Sequence, residues 1–334
     1  MIKASFATLG IGTAALLTVP FFLPQKSSGT MSLNEAAGPN AEFISLFNVS
    51  VHIEHRSYQG LLRNPPLIIL MHGFGASTFS WRHVMEPLSQ FGEVIAYDRP
   101  AFGFTERPES WTDVDPYGWE GNFRILDALI AGIGDEREIV LVGHSAGGEL
   151  AADYALRNPA TIDALVLVDP AILTTGGPPP WAQRLLRFPS INRVGPLLVG
   201  GIARAGDALL RKSYFNPLLI TQKVLDGYHA PMKVKGWERA FWNFTKAPRV
   251  DHLADNLNLI VQPTLIISGD SDTVVPTSDA VTLSTRFVNS WLEVIPQCGH
   301  LPQEERPEEF MSAVARHWSE ITRKCEAPGH LTTE

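Results

Sequence analysis

The 334 residues are 45% hydrophobic and 19% charged, enough apolar material for one large globular core with room for an inserted subdomain. The formal net charge is −8 and no basic run occurs, which excludes the clustered Lys and Arg that neutralise nucleic-acid phosphates. The two cysteines, Cys298 and Cys325, form no C-x-x-C pair, so a disulfide scaffold and a cysteine zinc site are excluded and at most a single bridge remains.

From the N-terminus, the chain runs apolar over residues 4–23, interrupted only by Gly, Ser, Thr and Pro20, and no acidic residue precedes Glu35. About 20 apolar residues suffice to span a bilayer, and no small-residue cleavage site follows Leu23. Residues 1–24 are therefore expected to be a membrane anchor or export signal, with membrane association through residues 4–23. Lys3 and Lys26 flank the run equally and set no orientation. Gly10-Ile11-Gly12 follows no strand and is not a nucleotide loop. Residues 25–41, rich in Ser, Gly, Asn and Ala, read as a flexible linker.

Residues 49–57 alternate apolar and polar side chains, as an outer antiparallel strand does. Within them His52 and Glu54 share a face while His55 points away, which disfavours a metal site. Residues 66–71 and 93–97 are short apolar runs of the kind buried on both faces of a parallel sheet. The first ends in His72-Gly73-Phe74, the second in Asp98-Arg99-Pro100. Helices are expected over residues 80–88 and between Gly118 and Ile133. A strand then opens at Ile139 and ends in Gly143-His144-Ser145-Ala146-Gly147. This is G-x-S-x-G between a strand and a helix, a sharp turn that exposes the serine side chain. The order strand, helix, strand, helix, strand implies a mostly parallel sheet with helices on both faces. Ligands of such sheets bind at the carboxyl ends of the strands, where His72, Asp98 and Ser145 all fall.

The His72-Gly73 turn, the turn at residues 98–103 and the elbow at residues 143–147 together resemble the α/β-hydrolase fold superfamily. The resemblance implies a serine hydrolase acting through an acyl-enzyme. The backbone N–H groups of Phe74 and Ala146 would form the oxyanion hole. His72, Asp98 and Arg99 are assigned turn and packing roles.

Residues 164–169 form a further buried strand, after which the alternation stops. Residues 171–249 are rich in proline and aromatics, with helix-like segments over 181–187, 203–211 and 236–244. They read as a helical cap inserted over the strand ends, a placement the resemblance supports. Such a cap would line a pocket for a hydrophobic small molecule. The core is thus expected over residues 42–170 and 250–325, with a tail at 326–334. The sheet resumes at residues 262–268. The superfamily pattern G-x-x-D-x-x-x-P after it places the acid at Asp272, with Asp270 and Asp169 as rivals. The last strand, 291–295, leads to Gly299-His300, which fits the superfamily's histidine turn, and a helix over 307–318 closes the chain. Ser145, Asp272 and His300 follow in the order this fold uses. No cofactor or metal is implied. The preferred function is hydrolysis of an ester or related carbonyl bond. A ligand receptor on the same fold, an acyltransferase and a C–C hydrolase are the alternatives.

Overall fold

The structure, a computed structural model, describes residues 18–24, 26–134, 136–174, 176, 180–247 and 252–322. Its strands are β1 (Glu42–Leu46), β2 (Val49–Arg56), β3 (Leu67–Met71), β4 (Glu93–Tyr97), β5 (Ile139–His144), β6 (Ala164–Val168), β7 (Thr264–Gly269) and β8 (Ser290–Ile295). They form one eight-stranded sheet in the order β1-β2-β4-β3-β5-β6-β7-β8. β3 to β8 are parallel, and β1 and β2 add antiparallel at one edge. The mostly parallel sheet expected from the apolar runs is therefore the fold. Sequence reading missed β1. Phe47 and Asn48, both at positive φ (49° and 59°), make the tight hairpin that joins it to β2.

Before the first long insert come α1 (Leu33–Ala37), α2 (Met85–Leu88), α3 (Trp119–Ile133) and α4 (Ala146–Arg157). Between β6 and β7 lie α5 (Pro180–Leu186), α6 (Pro189–Ser213), α7 (Gln222–His229) and α8 (Trp237–Lys246). The chain ends through α9 (Thr277–Arg286), α10 (Pro302–Glu305) and α11 (Pro307–Ile321). Side-chain alternation along the strands divides the core into two layers. Ile69 and Leu141 pack with Phe123 and Leu126 of α3 and Leu150 of α4. Ile68, Leu70 and Val142 pack on the other face with Trp81 and with Phe310 of α11.

Three expectations need correction. The helix over residues 80–88 is instead a 3-10 turn, Thr78–Trp81, followed by the single turn α2. Trp81, Val84, Met85 and Leu88 have helical spacing and are all buried, which is what the pattern registers. Pro87 has no N–H to give to the carbonyl of His83, and the two short segments divide in the turn before it. In the insert, α6 is a 25-residue helix that continues through Pro196, far longer than residues 203–211. Finally, the stretch read as a flexible linker lies on the insert. Ser27 Oγ and Ser28 Oγ each donate to the Glu238 carboxylate at 2.6 Å, and Met31 pairs with Val234. Ser32 and Glu35 close a capping box at the start of α1, a pattern visible in the sequence as S-x-x-E.

Most of the apolar run 4–23 and all of Cys325 and residues 326–334 lie outside the described residues. Among the described residues, no helix is long and apolar enough to cross a membrane. Cys298 is buried.

Candidate active site

Register places the candidate residues side by side. Met71 pairs with Tyr97 and Gly143, and His144 with Val168, so β3, β4, β5 and β6 end at one level. His72, Asp98, Ser145 and Asp169 are the next residues on these strands.

Ser145 sits at φ 52° and ψ −119°, a conformation disfavoured for a residue with a Cβ and one that projects its side chain from the turn. The turn is held by Ser145 N–H to Val168 O (2.9 Å) and by Ala171 N–H to Ser145 O (3.1 Å). A Cβ on Gly147 would stand 2.2 Å from Met71 O and 2.6 Å from His72 O. Only glycine lets the elbow pack against the end of β3. Ala146 opens α4, whose first N–H groups have no acceptor within the helix. Among the described residues, neither Ala146 N–H nor Phe74 N–H donates to another backbone group.

His300 is buried, and its Nδ1–H donates to Asp272 Oδ2 at 2.6 Å. The other oxygen of Asp272 accepts Val274 N–H (2.7 Å) and Val275 N–H (3.0 Å), which fixes the carboxylate. Both rivals are placed otherwise. Asp270 is exposed and accepts Ser271 Oγ–H and Cys298 N–H. Asp169 is buried behind the pair, with Oδ1 accepting Ser268 Oγ–H at 2.6 Å and Gly269 N–H at 3.3 Å. Burial first, and then the Asp272 charge, push Asp169 well above the usual carboxylate range. Ser145 and His300 line one cavity and are not hydrogen-bonded to each other.

Asp169, Asp272 and His300 bring ligand-type atoms within 4.8 Å of one another. A metal with bonds of about 2.0–2.2 Å would hold its ligand atoms roughly 3 Å apart or more. The 2.6 Å between His300 Nδ1 and Asp272 Oδ2 fits a charge-assisted hydrogen bond instead. On β2, His52 Nδ1 pairs with Asp98 (2.8 Å) and His55 with Glu93 (2.9 Å), so these two histidines serve separate partners.

The cavity has a volume of about 600 Å³. Ser145, Ala146, His144 and His300 lie on its core side, and Val199, Leu210, Trp237, Phe241 and Phe244 enter it from the insert. The Phe74 ring packs against Phe241 (centroids 5.3 Å) and Phe244 (5.9 Å). Those two aromatics therefore shape the cavity, whereas Trp242 packs within the insert against Val199 and Trp237.

Two further buried histidines have defined partners. His144 Nε2–H donates to His300 O at 2.7 Å, and burial, then the nearby His300, hold its pKa well below the usual value. Its position inside G-x-S-x-G gave no hint of this contact across 156 residues. His72 Nδ1–H donates to Gly73 O (2.8 Å) while Nε2 accepts Arg99 N–H (3.0 Å), a turn role. Burial, then the Arg99 charge, hold His72 down to about 4. Unfolding returns it to its ordinary value near 6.5, so the unfolded chain binds the extra proton between these two pH values. Stability is therefore expected to fall as pH drops from 6.5 towards 4, with about 3 kcal/mol of the loss from His72. Urea unfolding of wild type and His72→Gln at both pH values checks this. The variant should lose less by about that amount, and equal losses would refute the assignment.

A model of the alpha/beta hydrolase family matches residues 68–313. Monoacylglycerol lipase abhd6-A of Xenopus laevis is 28% identical over 280 residues, covering 81% of this chain and 80% of that protein. The 2-hydroxy-6-oxo-2,4-heptadienoate hydrolase of Pseudomonas putida is 29% identical over 272 residues, covering 74% and 87%. Among solved structures, an esterase of Thermogutta terrifontis superposes with a TM-score of 0.65 at 21% identity, covering 86% of this chain and all of that one.

Proposed function

The chain belongs to the alpha/beta hydrolase family, and from that premise we propose that it is a serine hydrolase cleaving an ester of a hydrophobic, monoacyl-sized substrate. The observation that carries the reading is the 2.6 Å pair of His300 and Asp272 lining, with Ser145, one apolar cavity. Ser145 Oγ attacks the carbonyl carbon as His300 Nε2 takes its proton. Asp272 holds the imidazole in the tautomer that leaves Nε2 free to accept, and stabilises the imidazolium that forms. Phe74 N–H and Ala146 N–H face the developing oxyanion, each worth about 2.7–4 kcal/mol in comparable hydrolases. His300 then protonates the leaving alcohol, and water attacks the acyl-enzyme by the same route.

The cap reading of residues 171–249 supports a hydrophobic acyl group, since the insert supplies most of the apolar cavity wall. The Xenopus laevis relative, a monoacylglycerol lipase by name, supports a glycerol monoester. The apolar run 4–23 supports a membrane-anchored or exported location. C–C cleavage is the second reading. Arg107 in the cavity wall is the observation that favours it, because a dienoate substrate carries a carboxylate.

A panel of glycerol monoesters of increasing acyl length, run beside 2-hydroxy-6-oxo-2,4-heptadienoate, tests this. Each added methylene that enters the cavity should raise kcat/KM by up to about fourfold, from about 0.8 kcal/mol per buried methylene, until the cavity is full. A flat profile with turnover of the dienoate would transfer the function to C–C hydrolysis. No turnover of either would favour a receptor.

A further inference from the structure

His300 stands on a loop, residues 298–301, that has no regular structure of its own. Its position is set by what grips the peptide groups on either side. His300 N–H donates to Ser213 O at 2.7 Å, and His300 O accepts from His144. The peptide before it is held by Glu305, whose Oε2 accepts Gly299 N–H at 2.8 Å. The same oxygen accepts Phe215 N–H at 2.9 Å, and Oε1 accepts Asn216 N–H at 2.6 Å. Ser213, Phe215 and Asn216 are where α6 ends, in the insert.

One buried carboxylate thus ties the histidine loop to the end of the longest insert helix. The two are in direct contact as well, since a Cβ on Gly299 would lie 2.4 Å from Ser213 O and 2.7 Å from Phe215 N. Glu304, the residue before, braces the same region. Its carboxylate accepts Tyr214 OH and Tyr228 OH from the insert, and Ser80 Oγ–H and Arg82 Nη1–H from the core.

We propose that Glu305 is a positioning residue for His300: it locks the histidine loop to the end of α6 and so fixes where the imidazole stands beside Ser145. This rests on the serine hydrolase reading above. The insert then does more than wall the cavity, because one of its ends is part of the scaffold of the base. Both oxygens of Glu305 accept, and together they take three backbone N–H groups. A glutamine offers one oxygen and one NH₂, so in either orientation at least one backbone donor meets another donor. An aspartate keeps both oxygens and ends one methylene short.

Glu305→Gln and Glu305→Asp are compared with wild type on a short p-nitrophenyl ester, with folded active sites counted by fluorophosphonate titration run to completion. A loose base slows the chemical step without changing how substrate fits the cavity. Glu305→Gln should lose about 10- to 100-fold in kcat per active site, the cost of a misplacement of about 1 Å, with KM within threefold. Glu305→Asp should recover part of that loss. Wild-type kcat per active site in Glu305→Gln, with only a lower unfolding temperature, would overturn the proposal. So would a raised KM at unchanged kcat. If Glu305→Gln does not fold, Glu305→Asp decides by the same two readings. A wild-type chain that neither turns over nor labels overturns the hydrolase reading and this proposal with it. An active wild type beside an equally fast Glu305→Gln overturns this proposal alone.

Discussion

Ser145→Ala is expected to lower kcat by roughly six orders of magnitude, to the residual rate that binding and oxyanion contacts alone sustain. Other hydroxyls line the cavity, among them Ser77 and Ser213, but they lack the elbow's surroundings. Ser77 Oγ accepts from Phe79 N–H, and Ser213 Oγ donates to Leu209 O. Among the described residues, Ser145 alone combines a strained, projecting backbone with the open N-terminus of α4 and the cavity it shares with His300. The variant should fold, because the turn is held by backbone bonds that alanine retains. Fluorophosphonate labelling of wild type that persists at the same rate in Ser145→Ala would assign the nucleophile elsewhere.

Asp272→Asn should cost about four orders of magnitude in kcat, with KM little changed. The carboxylate can only accept, so it keeps the proton on His300 Nδ1 and the lone pair on Nε2. An asparagine amide can donate to Nδ1 and so favours the opposite tautomer, in which Nε2 carries the proton and cannot act as a base. Asp169→Asn is the paired measurement. Its Oδ1 accepts from Ser268 and Gly269, contacts that an amide oxygen keeps, so an amide there should cost far less than Asp272→Asn. A larger loss from Asp169→Asn than from Asp272→Asn would move the acid to the end of β6.

Much of this was legible along the chain because parallel strands buried on both faces leave an unmistakable apolar record. The runs at 66–71, 93–97 and 164–169 and the one that opens at Ile139 became β3 to β6, and the turns after them bring Phe74, Ala101, Ala171 and Ser145 to the cavity. Pattern reading failed where a local signal was outvoted. The helically spaced buried face at 81–88 is split between a 3-10 turn and α2, and α6 carried on through Pro196. The serine-rich linker looked unstructured because its partner, Glu238, lies more than 200 residues away.

The sequence by itself determined the parallel sheet and the elbow at Ser145, since these depend on periodicity and on a turn a few residues long; Asp272 and His300 stood out only through the resemblance to the superfamily's turns. Only the tertiary structure shows which carboxylate meets His300 Nδ1, gives His144 its acceptor and joins Glu305 to the end of α6. Each of those choices is a hydrogen bond between atoms brought within 3 Å by the packing of distant segments. One-dimensional spacing holds no record of such distances.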